Sequence, residues 1–428
     1  MNLTAEQQTA VDTDARSILV EAGPGAGKTT VLVARTLRLI ADHVRPERIR
    51  VFVFTRAAAE EIRARLVAAS RLGGLVDVTT FHAFALRVVQ ASRAAADLSP
   101  LEVASRLEER AFADRIYDPR SGDRLPPRDR PTRTMLKEQI TAYAASPFRH
   151  PHDAVETLRF RMEEARLAPA WSLVRAALEA DLPAITEDLP EAEHVLVDES
   201  QDCTAADVAL ATTVRAGRAA RFAVGDPRQS IMEWRLAGPH HVEAEFGPAA
   251  VRLALTRTQR FGAVIAATAN RIAAAFGGAA VEHGGPPGSV EILSRDDFES
   301  SMRTITDGVE PRDVAVLCRT NEECRFAEYV IGRDRAVHVS AQEHARGSED
   351  SDGFADAWAR NLVVVATTHV AKGRQWPVVA VAPSQRFPDG TPEDWRVAYV
   401  AATRAMHRLV IFADGAFRDV LMGGNDAT

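Results

Sequence analysis

Residues 17–34 read SILVEAGPGAGKTTVLVA, an apolar run followed by a glycine-rich loop and then by apolar residues at helical spacing. A strand, a loop and a helix in this order place backbone N–H groups where they can bind phosphate oxygens. Lys28 would neutralise the β- and γ-phosphates, and the Thr29 hydroxyl would ligate Mg²⁺. A chance glycine-rich turn is the alternative, which the flanking strand and helix patterns disfavour. We assign the remaining loop residues to the same nucleotide site: Gly23, Gly25, Ala26, Gly27 and Thr30.

Two adjacent carboxylates follow a second apolar run. Residues 194–197, HVLV, predict a buried strand that ends at Asp198 and Glu199. In an α/β protein, ligands bind at the carboxyl ends of the strands. We therefore predict that Asp198 holds the Mg²⁺ hydration shell and that Glu199 orients and deprotonates the water that attacks the nucleotide.

Five residues elsewhere in the chain complete this hypothesis. Gln7 could read the adenine edge because its amide offers both a donor and an acceptor, although an exposed helix residue would have the same pattern. Gln229 could sense the γ-phosphate, and five residues later Trp234 offers a ring for base stacking, the alternative being a core tryptophan. In the second half of the chain we assign Arg260 and Arg404 as arginine fingers.

The alternation of strands and helices predicts an α/β fold with parallel sheets covered on both faces. Between residues 91 and 190 the strand signal disappears and apolar residues fall at helical spacing, as in 134–143 and 154–167, with a polar loop predicted for 115–133. We predict two α/β domains and a helical insertion, with these bounds: first domain 1–90 and 191–250, insertion 91–190, second domain 251–415 with a flexible connection at 342–356, and tail 416–428.

The composition limits the class of protein. The three cysteines lack metal-ligand spacing, and neither a secretory signal nor a bilayer-length apolar stretch is present, so we expect a cytoplasmic protein without a membrane partner. The net charge of −7 argues against a nucleic-acid partner. Residues 31–71, however, carry nine arginines against four acidic residues. By charge alone, a solvated helix face is the favoured interpretation of this cluster.

Taken together in their order along the chain, these segments resemble the superfamily 1 helicases of the UvrD/Rep/PcrA group. The resemblance extends from Leu3 to about Phe412 and is weak across the helical insertion. It implies two RecA-like P-loop NTPase domains, with ATP in the cleft between them and single-stranded DNA across both. It also implies that Arg35 lies near the base and Gln375 near the ribose. The family's DNA-contacting segments correspond to Phe54, Thr55, His82, Trp234, Arg235, Thr368 and His369.

Three departures from the family pattern accompany the resemblance. Gln259 precedes Arg260 where the family has a tyrosine on adenine, Met232 replaces an aromatic residue on DNA, and Gln375 replaces a glutamate. Residues 260–367 are also too few to hold both a motor domain and the family's large second insertion, which we expect to be absent.

The resemblance implies an ATP-dependent DNA helicase that moves 3′ to 5′ on single-stranded DNA. Two alternatives stay open: a translocase or protein-remodelling motor that unwinds poorly, and a nucleotide-gated DNA-binding subunit that serves a protein partner. RNA is a further possible track. Repair is one of several pathways that use such motors, and the residues do not choose among them.

Overall fold

Two six-stranded sheets with flanking helices make up the part of the chain that the computed structural model describes, residues 2–118, 121, 125, 131–147, 153–180, 189–340, 353–384 and 391–423. The predicted α/β class is confirmed, since the strands with an assigned register in both sheets pair in parallel. No helix among these residues is long and apolar enough to cross a membrane. Within the same ranges, no group of three or more His, Cys, Asp or Glu side chains could hold a metal ion.

The first sheet has the order β3-β2-β6-β7-β1-β8. Every residue of β2 is buried, as expected for a strand covered by helices on both faces. Two short strands, β4 and β5, pair with each other outside this sheet. The strands are β1 Ser17–Ala22, β2 Ile49–Val53, β3 Asp77–Thr80, β4 Glu102–Val103, β5 Leu167–Ala168, β6 His194–Val197, β7 Ala220–Gly225 and β8 Val251–Leu255.

The second sheet has the order β11-β12-β10-β13-β14-β9. Its central strands β10 and β12 are buried along their whole length. Sequence analysis did not identify β11, β13 and β14. The strands are β9 Ser289–Leu293, β10 Val314–Cys318, β11 Ala336–Val339, β12 Val363–Thr367, β13 Trp376–Val381 and β14 Ala405–Phe412.

Helix starts follow local capping chemistry. The hydroxyl of Thr4 accepts the Gln7 N–H, and the hydroxyl of Thr55 accepts the Ala58 N–H, as the capping pattern predicts. The helices are α1 Ala5–Asp12, α2 Lys28–Ala41, α3 Arg56–Ala69, α4 Phe81–Ala95, α5 Arg106–Arg115, α6 Arg133–Ala145, α7 Asp153–Glu164, α8 Leu173–Glu179, α9 Ala205–Thr213, α10 Pro239–Phe246, α11 Ala263–Ala274, α12 Phe298–Thr304, α13 Asn321–Ile331, α14 Gly353–Ala359, α15 Pro392–Ala402 and α16 Gly415–Met422.

The contacts divide the chain into two compact units. The first unit is Met1–Glu21, Lys28–Gly225 and Met232–Ala254, and the second is Ala22–Gly27, Asp226–Ile231 and Leu255–Thr428. The two short segments 22–27 and 226–231 therefore group with the second unit, whereas the sequence places them in the first domain. One reason is that the Gly23 N–H donates to the Leu255 carbonyl at 3.1 Å.

Several local expectations need correction. The insertion contains β4 and β5, which are too short to give a periodic signal, and α7 ends at Glu164 rather than at Leu167. The predicted tail is wrong from its start, because α16 buries Phe417 and Leu421 in the core of the second unit. Of the expected connection at 342–356, residues 342–352 lie outside the described ranges, and Gly353 begins α14.

The expected loop at 115–133 is described only in part. Arg115 is the last residue of α5, and Arg133 is the first residue of α6. Residues 119–120, 122–124 and 126–130 of this expected loop, together with residues 424–428 of the expected tail, lie outside the described ranges.

Candidate nucleotide and DNA sites

The glycine-rich loop turns directly into α2, whose first residue is Lys28. Gly25 has φ +71°, and an added Cβ there would lie 2.6 Å from Arg260 Cβ and 2.8 Å from Thr258 Oγ1. Because both the backbone conformation and the space exclude a side chain, only glycine fits this turn. Thr29 and Thr30 follow in the first helical turn and are half-buried. The end of the loop is thus a helix N-terminus, which favours anions.

Two of the predicted phosphate-binding N–H groups already have partners inside the protein. The Gly23 N–H donates to the Leu255 carbonyl, and the Ala26 N–H donates to the Gly23 carbonyl, both at 3.1 Å. Gly27 has φ +89°, a conformation that glycine adopts readily. In this structure Gly23 and Ala26 therefore stabilise the loop's shape by donating their N–H groups within the protein.

The acidic pair lies at the carboxyl end of β6, as predicted. Asp198 is buried, and its Oδ1 accepts the Glu199 N–H at 2.9 Å. Glu199 has φ +48° and ψ +44°, a left-handed conformation that costs a non-glycine residue roughly 1–3 kcal/mol. The Lys28 Nζ atom lies 3.9 Å from the Glu199 carboxylate. The structure thus brings Lys28, at the end of the glycine-rich loop (the phosphate loop, residues 22–28), close to the acidic pair.

Gln201 holds the Glu199 carboxylate and was not identified from the sequence. Its Nε2 donates to Glu199 Oε2 at 2.8 Å, and its side chain is fully buried. The end of β7 packs closely on this loop, because a Cβ on Gly225 would meet Ser200 Oγ at 2.4 Å and Gln201 Oε1 at 2.6 Å. A glycine at this strand end is therefore needed to keep the loop that carries Glu199 in place.

The residues present fit a magnesium ion. Burial, together with the charge of neighbouring Glu199, raises the pKa of Asp198 to about 7, while Lys28 acts in the opposite direction. A buried carboxylate of this kind is stabilised by a nearby cation. Carboxylate and hydroxyl oxygens are the donors that Mg²⁺ prefers, and Asp198 and Thr29 supply one of each.

A buried hydrogen-bond chain joins Gln229 to Arg404 in the second unit. The Arg404 Nη2 group donates to Gln229 Oε1 at 2.7 Å, and Gln229 Nε2 donates to Asp226 Oδ2 at 2.7 Å. All three side chains are at most 2% exposed. Buried polar groups of this kind are rigid when each has a partner. The positions of Gln229 and Arg404 are thus fixed by each other.

Arg260 donates hydrogen bonds to two residues of the second unit, one of which is the neighbour of Arg404 in the chain. Its Nε donates to Gln375 Oε1 at 2.7 Å, and its Nη1 donates to the Thr403 carbonyl at 2.7 Å. The Thr403 hydroxyl also accepts from Arg404 Nη2 at 3.2 Å. Thr403 therefore contacts both predicted arginine fingers, a role that sequence analysis did not assign. Gln259 is exposed, and its N–H donates to the Gly25 carbonyl at 2.9 Å.

Gln7 and Arg35 are both buried in the first unit. Gln7 Oε1 accepts the Thr4 N–H at 2.9 Å and so completes the capping box of α1. Arg35 Nη1 donates to the carbonyls of Val11 and Thr13 at 2.7 and 2.8 Å. A cation at the last carbonyls of a helix is favourable, so Arg35 stabilises the end of α1 in this structure.

The DNA-contact candidates of the first unit lie mostly at the surface. Thr55 and His82 are exposed at the starts of α3 and α4, while Phe54 is half-buried, with its ring centroid 5.2 Å from that of Phe81. Trp234 is 58% exposed, so it is not a core tryptophan. Arg235 beside it is half-buried.

The candidates of the second unit, Thr368 and His369, are less accessible. The Thr368 side chain is fully buried, and its backbone N–H donates to the Cys318 carbonyl at 2.9 Å. His369 Nε2 lies 3.1 Å from the Ile231 carbonyl.

We expect His369 to make stability depend on pH. Burial, and then the positive Arg319, lower the pKa of His369 to about 4 from an ordinary value of 6.5. The unfolded chain therefore binds a proton as the pH falls below 6.5 while the folded chain does not, so stability falls between these two values. From about pH 7.5 to about pH 5 this one group should cost about 2 kcal/mol.

Urea unfolding of the protein at the two pH values measures this effect. His369→Gln keeps a donor for Ile231 and should remove part of the acid destabilisation, whereas His283→Gln, at an exposed position, should not. An unchanged pH dependence in His369→Gln would contradict the assignment.

Three supporting residues were missed by the sequence analysis: Gln201, Asp226 and Thr403. A weak signal existed for the first two, because Gln201 lies two residues after Glu199 and Asp226 directly follows β7. No pattern in the sequence marks Thr403 as the neighbour of Arg260, since the two are far apart in the chain.

Comparison with known proteins shows that both halves of the chain are similar to helicase domains. Residues 3–245 match the UvrD/REP helicase N-terminal domain, and residues 362–412 match the UvrD-like helicase C-terminal domain. The chain is 25% identical to DNA helicase IV of Escherichia coli, covering 95% of this chain and 67% of that protein. It is 29% identical to the ATP-dependent DNA helicase UvrD2 of Mycobacterium tuberculosis, covering 77% of this chain and 53% of that protein.

A third relative is the ATP-dependent DNA helicase PcrA of Leuconostoc citreum, 27% identical over 55% of this chain and 34% of that protein. The chain thus spans between about a third and two thirds of the length of these relatives. The N-terminal family match alone covers more than half of the chain and includes both the phosphate loop and the acidic pair. The chain therefore belongs to the UvrD/REP helicase family.

Proposed function

We propose that this chain is an ATP-dependent DNA motor that couples ATP hydrolysis to movement on single-stranded DNA and to strand separation. The observation that carries the proposal is the 3.9 Å approach of Lys28 to Glu199, next to the buried Asp198. A loop lysine at a helix N-terminus and two carboxylates at a strand end are the parts that phosphoryl transfer to water requires. The relatives named as ATP-dependent DNA helicases support the same activity.

In this proposal each residue has a separate task in ATP hydrolysis. Lys28 binds the β- and γ-phosphates, and Glu199 accepts a proton from the attacking water. Asp198 and Thr29 hold Mg²⁺, which when bound supplies positive charge at the phosphate oxygens. The left-handed backbone of Glu199 and its hydrogen bond from Gln201 fix the direction of the carboxylate.

The remaining candidates bind or sense the nucleotide. Gln229 contacts the γ-phosphate, and Arg260 and Arg404 stabilise the charge that develops on it. Gln7 and Arg35 border the base, and Gln375 borders the ribose. The buried contacts of Gln7 and Arg35 mean that their role in nucleotide binding would include holding α1 in place.

Single-stranded DNA is the proposed track, with movement from 3′ to 5′ as the family resemblance implies. Trp234 supports this part of the proposal, because its ring is 58% exposed and so offers a face on which a base can stack. Stacking of bases on such a ring tolerates any sequence, as a translocating motor requires.

A second candidate is a translocase or remodelling motor that unwinds poorly without a partner. The observation that favours it is the second sheet, in which β10, β11, β12 and β13 form one layer from residues 314–381. The described residues of this segment, 314–340 and 353–381, form these strands, the helices α13 and α14 and short connections. They contain no large inserted domain that could hold duplex DNA.

The first experiment measures steady-state ATP hydrolysis with and without single-stranded DNA, with single-stranded RNA as a third arm. Hydrolysis stimulated by DNA is expected, and absence of hydrolysis with retained ATP-dependent DNA binding would instead indicate a nucleotide-gated subunit. Duplexes with a 3′ or a 5′ single-stranded tail then report polarity. Hydrolysis without strand displacement on either substrate would select the translocase.

Trp234→Ala tests the DNA track. Base stacking contributes about 1–3 kcal/mol, so the variant should bind a single-stranded oligonucleotide about fivefold to a hundredfold more weakly. ATP hydrolysis without DNA should be unchanged. Phe326→Ala, which removes another exposed aromatic ring, is the control and should bind the oligonucleotide normally. Equal affinities for the two variants would exclude Trp234 from the track.

A further inference from the structure

The solvent face of α13 carries two large aromatic rings. Tyr329 is 75% exposed and Phe326 is 47% exposed. Because the two residues are three positions apart on a helix, they lie on the same face. Tyrosine and phenylalanine are enriched where protein surfaces bind each other. The helix lies outside both segments that match the helicase family, and the proposed motor activity does not use it.

Phe326 is held in place by the helix beneath it. Its ring stacks on that of Phe298, with centroids 6.1 Å apart and planes at 24°. Phe298 is the first residue of α12 and is buried. A ring that is already fixed loses little conformational entropy when a partner covers it. This face of α13 is therefore suited to binding another surface without rearrangement.

Charged residues of opposite sign lie at the two ends of the same face. Glu322 is exposed in the first turn of α13, and Arg333 is exposed just beyond the last residue of the helix. In the part of the chain that the structure describes, neither side chain forms an ion pair. The midpoint of the chain between Glu322 and Arg333 is also the midpoint between Phe326 and Tyr329. The order of residues is thus acid, ring, ring, base about a single centre.

We propose that α13 pairs with α13 of a second copy of this chain, in an antiparallel dimer with twofold symmetry. A twofold interface uses the same surface on both copies, so the surface must be complementary to itself. Antiparallel pairing about the common midpoint places Phe326 opposite Tyr329 of the second copy. It also places Glu322 opposite Arg333 of the second copy, whereas parallel pairing would bring like charges together.

Two further features bear on this arrangement. In an antiparallel pair the positive N-terminal end of each helix lies beside the negative C-terminal end of the other. Arg325, also exposed, lies about 60° around the helix from Glu322 and about 100° from Phe326, so it flanks the row of pairing residues. A helix of 11 residues offers a small contact, and interfaces below about 1,200 Å² are transient. We therefore expect a reversible dimer with a micromolar dissociation constant.

Sedimentation velocity of the full chain, without nucleotide or DNA, measures the association. The sedimentation coefficient should rise with concentration up to about 100 µM, where a micromolar dimer is largely formed. Tyr329→Ala should raise the dissociation constant about tenfold or more, because the change occurs twice in a symmetric dimer. Trp358→Ala, which removes an exposed ring of α14, is the control and should associate normally. Circular dichroism checks the fold of every variant.

An exchange of charges tests the proposed pairing of residues. Glu322→Arg places two arginines opposite each other, and Arg333→Glu places two glutamates opposite each other. Each variant alone should therefore stay monomeric at concentrations where the unaltered protein dimerises. An equal mixture of the two variants should associate, because every charge then meets its opposite. A dimer formed through other surfaces would gain nothing from the mixture.

Association that is lost in both charge variants and restored in their mixture supports the proposal. A protein that stays monomeric at every concentration overturns it. Association that Tyr329→Ala leaves unchanged also overturns it, as does a mixture of the charge variants that stays monomeric. These measurements need neither ATP nor DNA, so the dimer proposal and the motor proposal fail separately.

Discussion

Glu199→Gln should lower the turnover number for ATP by about 10²–10⁴-fold, the range in which general-base catalysis contributes. Glutamine has the shape of glutamate and can still accept the hydrogen bond from Gln201 Nε2. It cannot take a proton from the attacking water. Since the change leaves Lys28 in place, the affinity for ATP should stay close to that of the unaltered protein. Steady-state hydrolysis and titration with a fluorescent ATP analogue measure the two quantities.

The matched control is Glu191→Gln, which removes the charge of an exposed glutamate shortly before β6. Its turnover should be normal. If Glu199→Gln hydrolyses ATP at the normal rate, then Glu199 is not the base, and Asp198 would be the next residue to test. A loss of ATP binding in Glu199→Gln would instead mean that the carboxylate is needed to hold the loop.

Arg404→Ala should lower ATP turnover by about 10³-fold or more, because removal of an arginine finger typically costs 10³–10⁵-fold. The structure gives a second reason. Arg404 Nη2 donates to Gln229 Oε1 at 2.7 Å, so its loss also frees the amide proposed to contact the γ-phosphate. The effect should appear in turnover more than in ATP affinity.

Arg404 is only 2% exposed, so the fold of the variant must be checked by thermal unfolding. Arg408→Ala is the control, since it also removes a guanidinium of the second unit, one that pairs with Glu291. A double-mutant cycle with Gln229→Ala tests the coupling between the two residues. If both single variants and the double variant lose the same factor, the two side chains act as a unit. Normal turnover in Arg404→Ala with an intact fold would remove it from the mechanism.

The elements that carry the phosphate loop and the acidic pair were predictable because their signals are local. An apolar run, glycines and a lysine at a helix start specify β1, the loop and α2 without reference to the rest of the chain. The same is true of β6, whose buried residues lead directly to Asp198. The strands β13 and β14 also contain apolar runs, which are a local signal of the same kind.

Other predictions depended on burial that no local pattern reveals. Residues 416–428 look like a tail in isolation, yet Phe417 packs against Trp395 with ring centroids 5.8 Å apart. Thr368 lies in a segment that resembles a DNA contact, but its side chain is enclosed by the second unit. Arg35, which we propose to border the base, also donates to the carbonyls at the end of α1, a contact that the sequence does not reveal.

The sequence by itself determined the α/β class and the family, and it selected the residues that we propose for phosphoryl transfer, since each depends on residue type and short spacing. Only the tertiary structure decided how those residues are held. The contact between Gln229 and Arg404 joins positions 175 residues apart, and Thr403 reaches Arg260 across 143 residues. Hydrogen bonds are directional and short, so such pairs form only when the fold brings their atoms within about 3 Å.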